Sequence, residues 1–148
     1  MFILRQALGP YDNIAGRARV RPAKTLETAL DPALLTVNYY VLAIFAPLLI
    51  LTGILGFIIP ANKSLTSGAP AYNVFHIIFG VIGLGVVYSQ HDACIRGFNI
   101  GFGVLDLYQA AASFLHLFPE TYFRWRRADD ALHVIIGAGL VLVGVFGS

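Results

Sequence analysis

The sequence predicts an all-α membrane protein: a four-transmembrane-helix up-and-down bundle with an N-terminal polar arm. Three observations carry that class. Hydrophobic residues make up 57% of the 148-residue chain and charged residues only 12%, against ~25% charged in a typical soluble domain; mean hydropathy is +0.74. Four apolar segments recur along the chain, each nearly free of charge. The polar stretches between them are short, which suits antiparallel neighbours.

Composition also excludes several classes. A formal net charge of +2 is too small to indicate nucleic acid, and no soluble segment carries a basic run interleaved with aromatics. The single cysteine, Cys94, forbids an internal disulfide and any CxxC metal site. A secretory leader needs an apolar stretch of about 7–15 residues behind a basic start. "MFILRQALGP" offers four apolar residues before Arg5, so Met1 is expected to stay and insertion to rely on the internal helices.

The arm, residues 1–36, sets Arg5, Arg17, Arg19, Arg21 and Lys24 against Asp12, Glu27 and Asp31. Thr25 to Leu30 favours a short amphipathic helix that Asp31-Pro32 would end. The arm reads either as an unstructured leader or as a docking arm on a partner or the membrane surface. The first span is Val37 to Ile59, uncharged and longer than the ~20 residues a bilayer requires. Pro47 near its middle predicts a kink, and Tyr39 and Tyr40 fall at headgroup depth. "PANKSLTSGAP" is a loop broken by Pro60, Gly68 and Pro70. The second span runs from Tyr72 to Tyr88, with Asn73 as its expected cap. "SQHDACIRG" is a tight turn, and the third span covers about Phe98 to Phe118. "PETYFRWRRADD" follows, and the fourth span is Ala131 to about Phe146.

This topology puts both termini on one side. The arm and second loop carry six Lys/Arg, and the first and third loops carry Lys63, Arg124, Arg126 and Arg127. The excess predicts cytoplasmic termini, in a bacterial inner or thylakoid-type membrane. Asp129 and Asp130 suit the positive end of the last helix dipole. "YFRWRR" predicts interface and lipid anchoring by Arg124, Trp125, Arg126 and Arg127, with snorkelling arginines beside aromatics.

The third span holds the strongest chemical signal. At ~100° per residue, Asn99, Asp106, Gln109, Ser113 and His116 share one face. A charge at the bilayer centre costs about 3 kcal/mol or more, so this intramembrane stripe must turn away from lipid. It reads as a structural hydrogen-bond network, or as a proton, cation or solute path. His76, His116 and His133 are expected at one depth near the outer interface. They are candidate cofactor ligands, with chlorophyll or haem the groups in view, bound at a partner interface rather than inside a tight bundle. Each is equally readable as a histidine bonded to a neighbouring helix. Gly80 and Gly83 share the face of His76, and Gly137 and Gly144 that of His133. Gly97 and Gly101 form a GxxxG at the start of the third span. All six are expected to let helices approach closely. No nucleophile with its base, phosphate loop, metal-hydrolase motif or carboxylate pair at ligand spacing occurs, so neither a catalytic nor a metal site is expected.

"YNVFHIIFGVIG" and "DDALHVIIGAG" both read as polar residues, histidine, three large apolar residues and glycine. This repeat suggests duplication of a helix pair. Together with "LLTGILGFI" and an Arg-containing turn, it resembles a family of uncharacterised small bacterial four-helix integral membrane proteins, a domain of unknown function. The resemblance spans about residues 37–147 and rests on Asn73, His76, Gly80, Asp130, His133 and Gly137. It implies a fold and no reaction, and residues 1–36 fall outside it.

The functional expectation is a non-enzymatic accessory or structural subunit. Lipid surrounds it, and its helices and residues 1–36 contact a larger membrane complex, photosynthetic or respiratory by analogy. The alternatives are a small conduit using Asp106 and its stripe, and a pigment- or haem-binding subunit using the interfacial histidines.

Overall fold

The computed structural model describes residues 36–60 and 62–147, which fall in one compact unit from Pro32 to Ser148. The expected arm, apart from Thr36, lies outside the described residues. Among the described residues the chain is all-helical, with five helices and no strand.

Helix α1 spans Val37–Ile58. Thr36 caps it, its hydroxyl accepting the Tyr39 N–H at 3.3 Å. The helix continues through Pro47 and stops before Pro60. Helix α2, Pro70–Ser89, starts two residues ahead of the expected span, because Pro70 at its first turn lacks an N–H that would be unpaired there anyway. Its cap is Ala69, not Asn73. Asn73 instead lies buried inside the first turn and donates to the Gly68 carbonyl at 3.2 Å. Gln90, in the left-handed region at φ 54°, ends α2, and α3 begins two residues later.

Helix α3, Asp92–Leu115, is 24 residues long. It takes up most of the expected turn, since Asp92 favours a helix N-terminus. It stops at His116, φ 55°, whose N–H bonds the Ala112 carbonyl in a left-handed cap. The short α4, Glu120–Phe123, follows, and Arg124 at φ 50° closes it. Helix α5, Arg127–Phe146, starts four residues earlier than expected. The Asp129 carboxylate accepts the Arg126 N–H at 2.8 Å and so extends the helix into the loop.

The long helices form two tight pairs, α1 with α2 and α3 with α5, with lighter contacts between pairs. The α3–α5 pair is close enough for backbone contact. A methyl added to Gly103 would lie 2.7 Å from the Gly137 carbonyl oxygen, and one on Gly137 would lie 2.7 Å from that of Gly103. Gly80 meets the Ala46 carbonyl on α1, Gly83 meets Ala46 Cβ, and Gly144 lies against Ile100, as expected of packing glycines. Gly97 and Gly101 do not pack against the described residues: none of them lies within 4 Å of an added methyl. The α5 contact on α3 runs through Ile100, Gly103 and Leu107, and 100° per residue turns positions 97 and 101 outward.

Side chains sort into three levels. At the end holding the start of α1, Asn99 donates to the Asn38 side chain at 2.9 Å, and Asn38 donates to the Gly147 carbonyl. There Thr36 also bonds Asp92, and Arg96 bonds the Gly144 carbonyl. Leu49, Phe102 and Leu140 form a buried apolar level beside Phe45, Phe75, Phe79 and Phe98. The second polar level lies at the opposite end.

The outer surface is apolar on every long helix; Ile44, Ile78, Val104 and Ile135 are all at least half exposed. Three helices, α1, α2 and α5, are long and apolar enough to cross a membrane, consistent with an integral membrane protein.

Candidate functional site

The second polar level collects the start of α2, the later half of α3, α4 and the start of α5. Tyr72 stands at its centre. Its hydroxyl donates to Asp129 Oδ1 at 3.0 Å and lies 3.4 Å from His133 Nε2. Because that proton points to the carboxylate, the Tyr72 oxygen is left to accept from His133 Nε2–H. The Tyr72 ring lies against His76 at 4.1 Å between centroids, the two planes tilted by 59°. His76 Nδ1 donates to the Tyr72 carbonyl one turn back, at 2.8 Å.

Asp106 lies beside this group. Antiparallel packing puts it against Gly137, one turn along α5 from His133: a methyl on Gly137 would sit 2.9 Å from Asp106 Cβ. Asp106 is 3% exposed, and Gln109 Nε2 donates to its Oδ1 at 3.3 Å. No cation among the described residues stands against it. Asp106, Asp129 and Asp130 are all within electrostatic range of the Tyr72 hydroxyl, as His76 is of His133.

Loops close the level from above. Ser67 donates to the Phe123 carbonyl, and Arg126 Nη1 to that of Ser64 at 2.6 Å. Phe123 and Trp125 lay their rings against Tyr72 and His133 respectively. Four buried atoms here have no hydrogen-bond partner among the described residues: Gln109 Oε1, Trp125 Nε1, Asp130 Oδ1 and His133 Nδ1. Such atoms ask for a bound water or ligand.

The expected stripe on α3 therefore divides. Asp106 and Gln109 join this level, Asn99 joins the Asn38 level, and Ser113 is half-buried. His116 leaves the stripe, because the helix ends one residue before it and the left-handed cap leaves it exposed. His76 and His133 do converge, without His116. Trp125 is half-buried with its ring against Phe123 and His133, and Arg126 bonds the Ser64 carbonyl, while Arg124 and Arg127 are exposed. Tyr72 was not singled out from the sequence, where it only marked the start of the second span. Its signal was the spacing Tyr72-x-x-x-His76, which puts both rings on one helical face.

Among the described residues no three His, Cys, Asp or Glu side chains group as metal ligands. His76 and His133 are 6% and 4% exposed beneath Tyr72, Phe75, Phe123 and Trp125. A macrocycle on either imidazole would have to displace those rings. The groups joined directly by hydrogen bonds, and so able to share protons, are the Asp129 carboxylate, the Tyr72 phenol and the His133 imidazole. Comparison with protein-family models, curated proteins and solved structures finds no match to the chain.

Proposed function

We propose that the chain is a four-span, non-catalytic accessory subunit that packs laterally against a larger membrane complex, with both termini on the cytoplasmic side. In this reading α3 is the fourth span. Asp106, Asn99 and Gln109 lower its hydropathy, but all three are buried, and its outward face carries Val104, Tyr108 and Phe114. Its length of 24 residues corresponds to about 36 Å, enough for the bilayer core. The family resemblance, with its four-helix fold, belongs to the same proposal.

The observation that carries the accessory role is an outward apolar groove between α1 and α5. Val41, Ile44, Leu48, Ile136 and Val143 line it, with Gly139 in it. Nothing lies within 4 Å of a methyl added to Gly139, so a partner's transmembrane helix can approach the α5 backbone there. The interior is filled by helix contacts at Gly80, Gly103 and Gly137 and by the apolar level, which supports a packing unit over an open conduit. Extraction in mild detergent should show co-migration with a larger complex. Gly139→Leu should release the chain from that complex with its own unfolding midpoint unchanged. A wild-type chain that runs only as a free monomer in native gels overturns the reading.

A further inference from the structure

We propose that Asp106 holds a proton inside the membrane and exchanges it with the loop-side aqueous phase through His133, Tyr72 and Asp129. The inference rests on α3 lying within the bilayer and is independent of any partner subunit.

An isolated carboxylate in hydrocarbon surroundings must be paired or neutral. Asp106 is buried, and among the described residues it meets no cation and receives one hydrogen bond, from Gln109 Nε2. Tyr72 on α2 is within electrostatic range of Asp106; the other titratable groups of this level are His76 on α2 and Asp129, Asp130 and His133 on α5, while the α1 tyrosines lie at the other end. Burial without a counter-charge disfavours the carboxylate form. Asp106 is therefore the neutral acid, with an O–H to donate.

The unpaired atoms supply the link. Gln109 Oε1 and His133 Nδ1 are both acceptors without donors, on turns of α3 and α5 that the Gly137–Asp106 contact sets side by side. One internal water accepts from the Asp106 O–H and donates to both. That gives it about three hydrogen bonds, the usual number for a buried water.

The proton balance closes. Asp106 gives its proton to the water, and the water gives one to His133 Nδ1. His133 gives its Nε2 proton to the Tyr72 oxygen, and Tyr72 gives its own to Asp129 Oδ1. The sequence leaves an Asp106 carboxylate, a neutral Asp129 and a His133 of opposite tautomer. A water at the loop rim then takes the proton from Asp129, which is buried at rest beside the partly exposed Asp130. Beyond Asp106 the path stops, because Leu49, Phe102 and Leu140 separate it from the Asn38–Asn99 level. The chain is thus a proton-binding site with one access route, not a channel.

Infrared spectroscopy of the full chain in nanodiscs tests this. At pH 7 the wild type should show the carbonyl stretch of a protonated carboxylic acid. The band should vanish in Asp106→Asn and shift in Asp106→Glu. Transfer to D2O should downshift it rapidly in the wild type. His133→Gln keeps a hydrogen-bonding side chain of similar reach but cannot relay a proton, and it should slow the downshift roughly a hundredfold, the low end of what a positioned proton carrier contributes. Tyr72→Phe is the second variant if His133→Gln does not fold. Absence of the band in the wild type, its persistence in Asp106→Asn, or unchanged exchange in the folded relay variants overturns the proposal. Topology mapping with Cys94 tests the placement of α3 separately.

Discussion

Asp129 makes two bonds at once: it accepts the Arg126 N–H at 2.8 Å and the Tyr72 hydroxyl at 3.0 Å, and it is fully buried. Replacement by alanine removes the acceptor from both donors. The expected loss is about 2 kcal/mol, a helix cap and a buried hydrogen bond together, read as a lower unfolding midpoint in detergent. Asp129→Asn keeps one carbonyl acceptor and should recover part of it. Gly103 offers a contrast with Gly97 on the same helix. An added methyl at Gly103 meets the Gly137 carbonyl at 2.7 Å, where neither backbone can yield, whereas at Gly97 it meets nothing. Gly103→Ala should cost about 1–3 kcal/mol by overpacking, and Gly97→Ala should stay within about 0.5 kcal/mol of wild type. Equal effects in an unfolding titration would contradict the register of α3 on α5.

At the scale of elements, all four long helices declared themselves as apolar segments, and α3 carried a polar stripe as well. What the sequence hid were boundaries and partners. Helix α3 begins at Asp92 within an expected turn, because acidic residues belong at a helix start and the left-handed Gln90 needs only a two-residue link. His116 shared a face with Asp106 by periodicity, yet periodicity ends where the helix does, and a capping residue gives no sign of itself in a run such as "SFLHLF". Convergence of His76 and His133 was legible because both stand near the start of helices running the same way. Tyr72 between them was not, since an aromatic near a span end is ordinary belt composition. Asn38 and Asn99 show the same limit: each is visible as a polar residue in an apolar helix, but their pairing is a tertiary fact. Their 2.9 Å bond ties α1 to α3. A double-mutant cycle with Asn38→Ala and Asn99→Ala should give a coupling of about 0.6 kcal/mol, the usual size between membrane helices, and not above about 1.7 kcal/mol. Zero coupling would mean that the two helix pairs are held together elsewhere.

For the whole molecule the deciding question is whether α3 crosses the bilayer, because three spans and four spans place the loops differently. The contacts fix which ends of the helices lie together. Thr36 bonds Asp92 and Arg96 bonds the Gly144 carbonyl, so the starts of α1 and α3 share an end with the finish of α5. Ser67 bonds the Phe123 carbonyl and Arg126 that of Ser64, so the first loop and the α4 region share the other. If α3 spans, these two ends face opposite aqueous phases. The chain carries its own reporter, because Cys94 is its only cysteine and is exposed. In sealed, uniformly oriented vesicles a membrane-impermeant maleimide should label either Cys94 or a cysteine placed at exposed Arg124 in a Cys94→Ser background, but not both. Lysing the vesicles should make the unlabelled one reactive. If α3 spans, a cysteine at Val104, on its outward face, should resist the reagent in intact and lysed vesicles alike, since lipid would cover that face. Labelling of Cys94 and the Arg124 cysteine from the same side would remove α3 from the membrane. It would also turn its buried Asp106 from a membrane-core acid into an interfacial one.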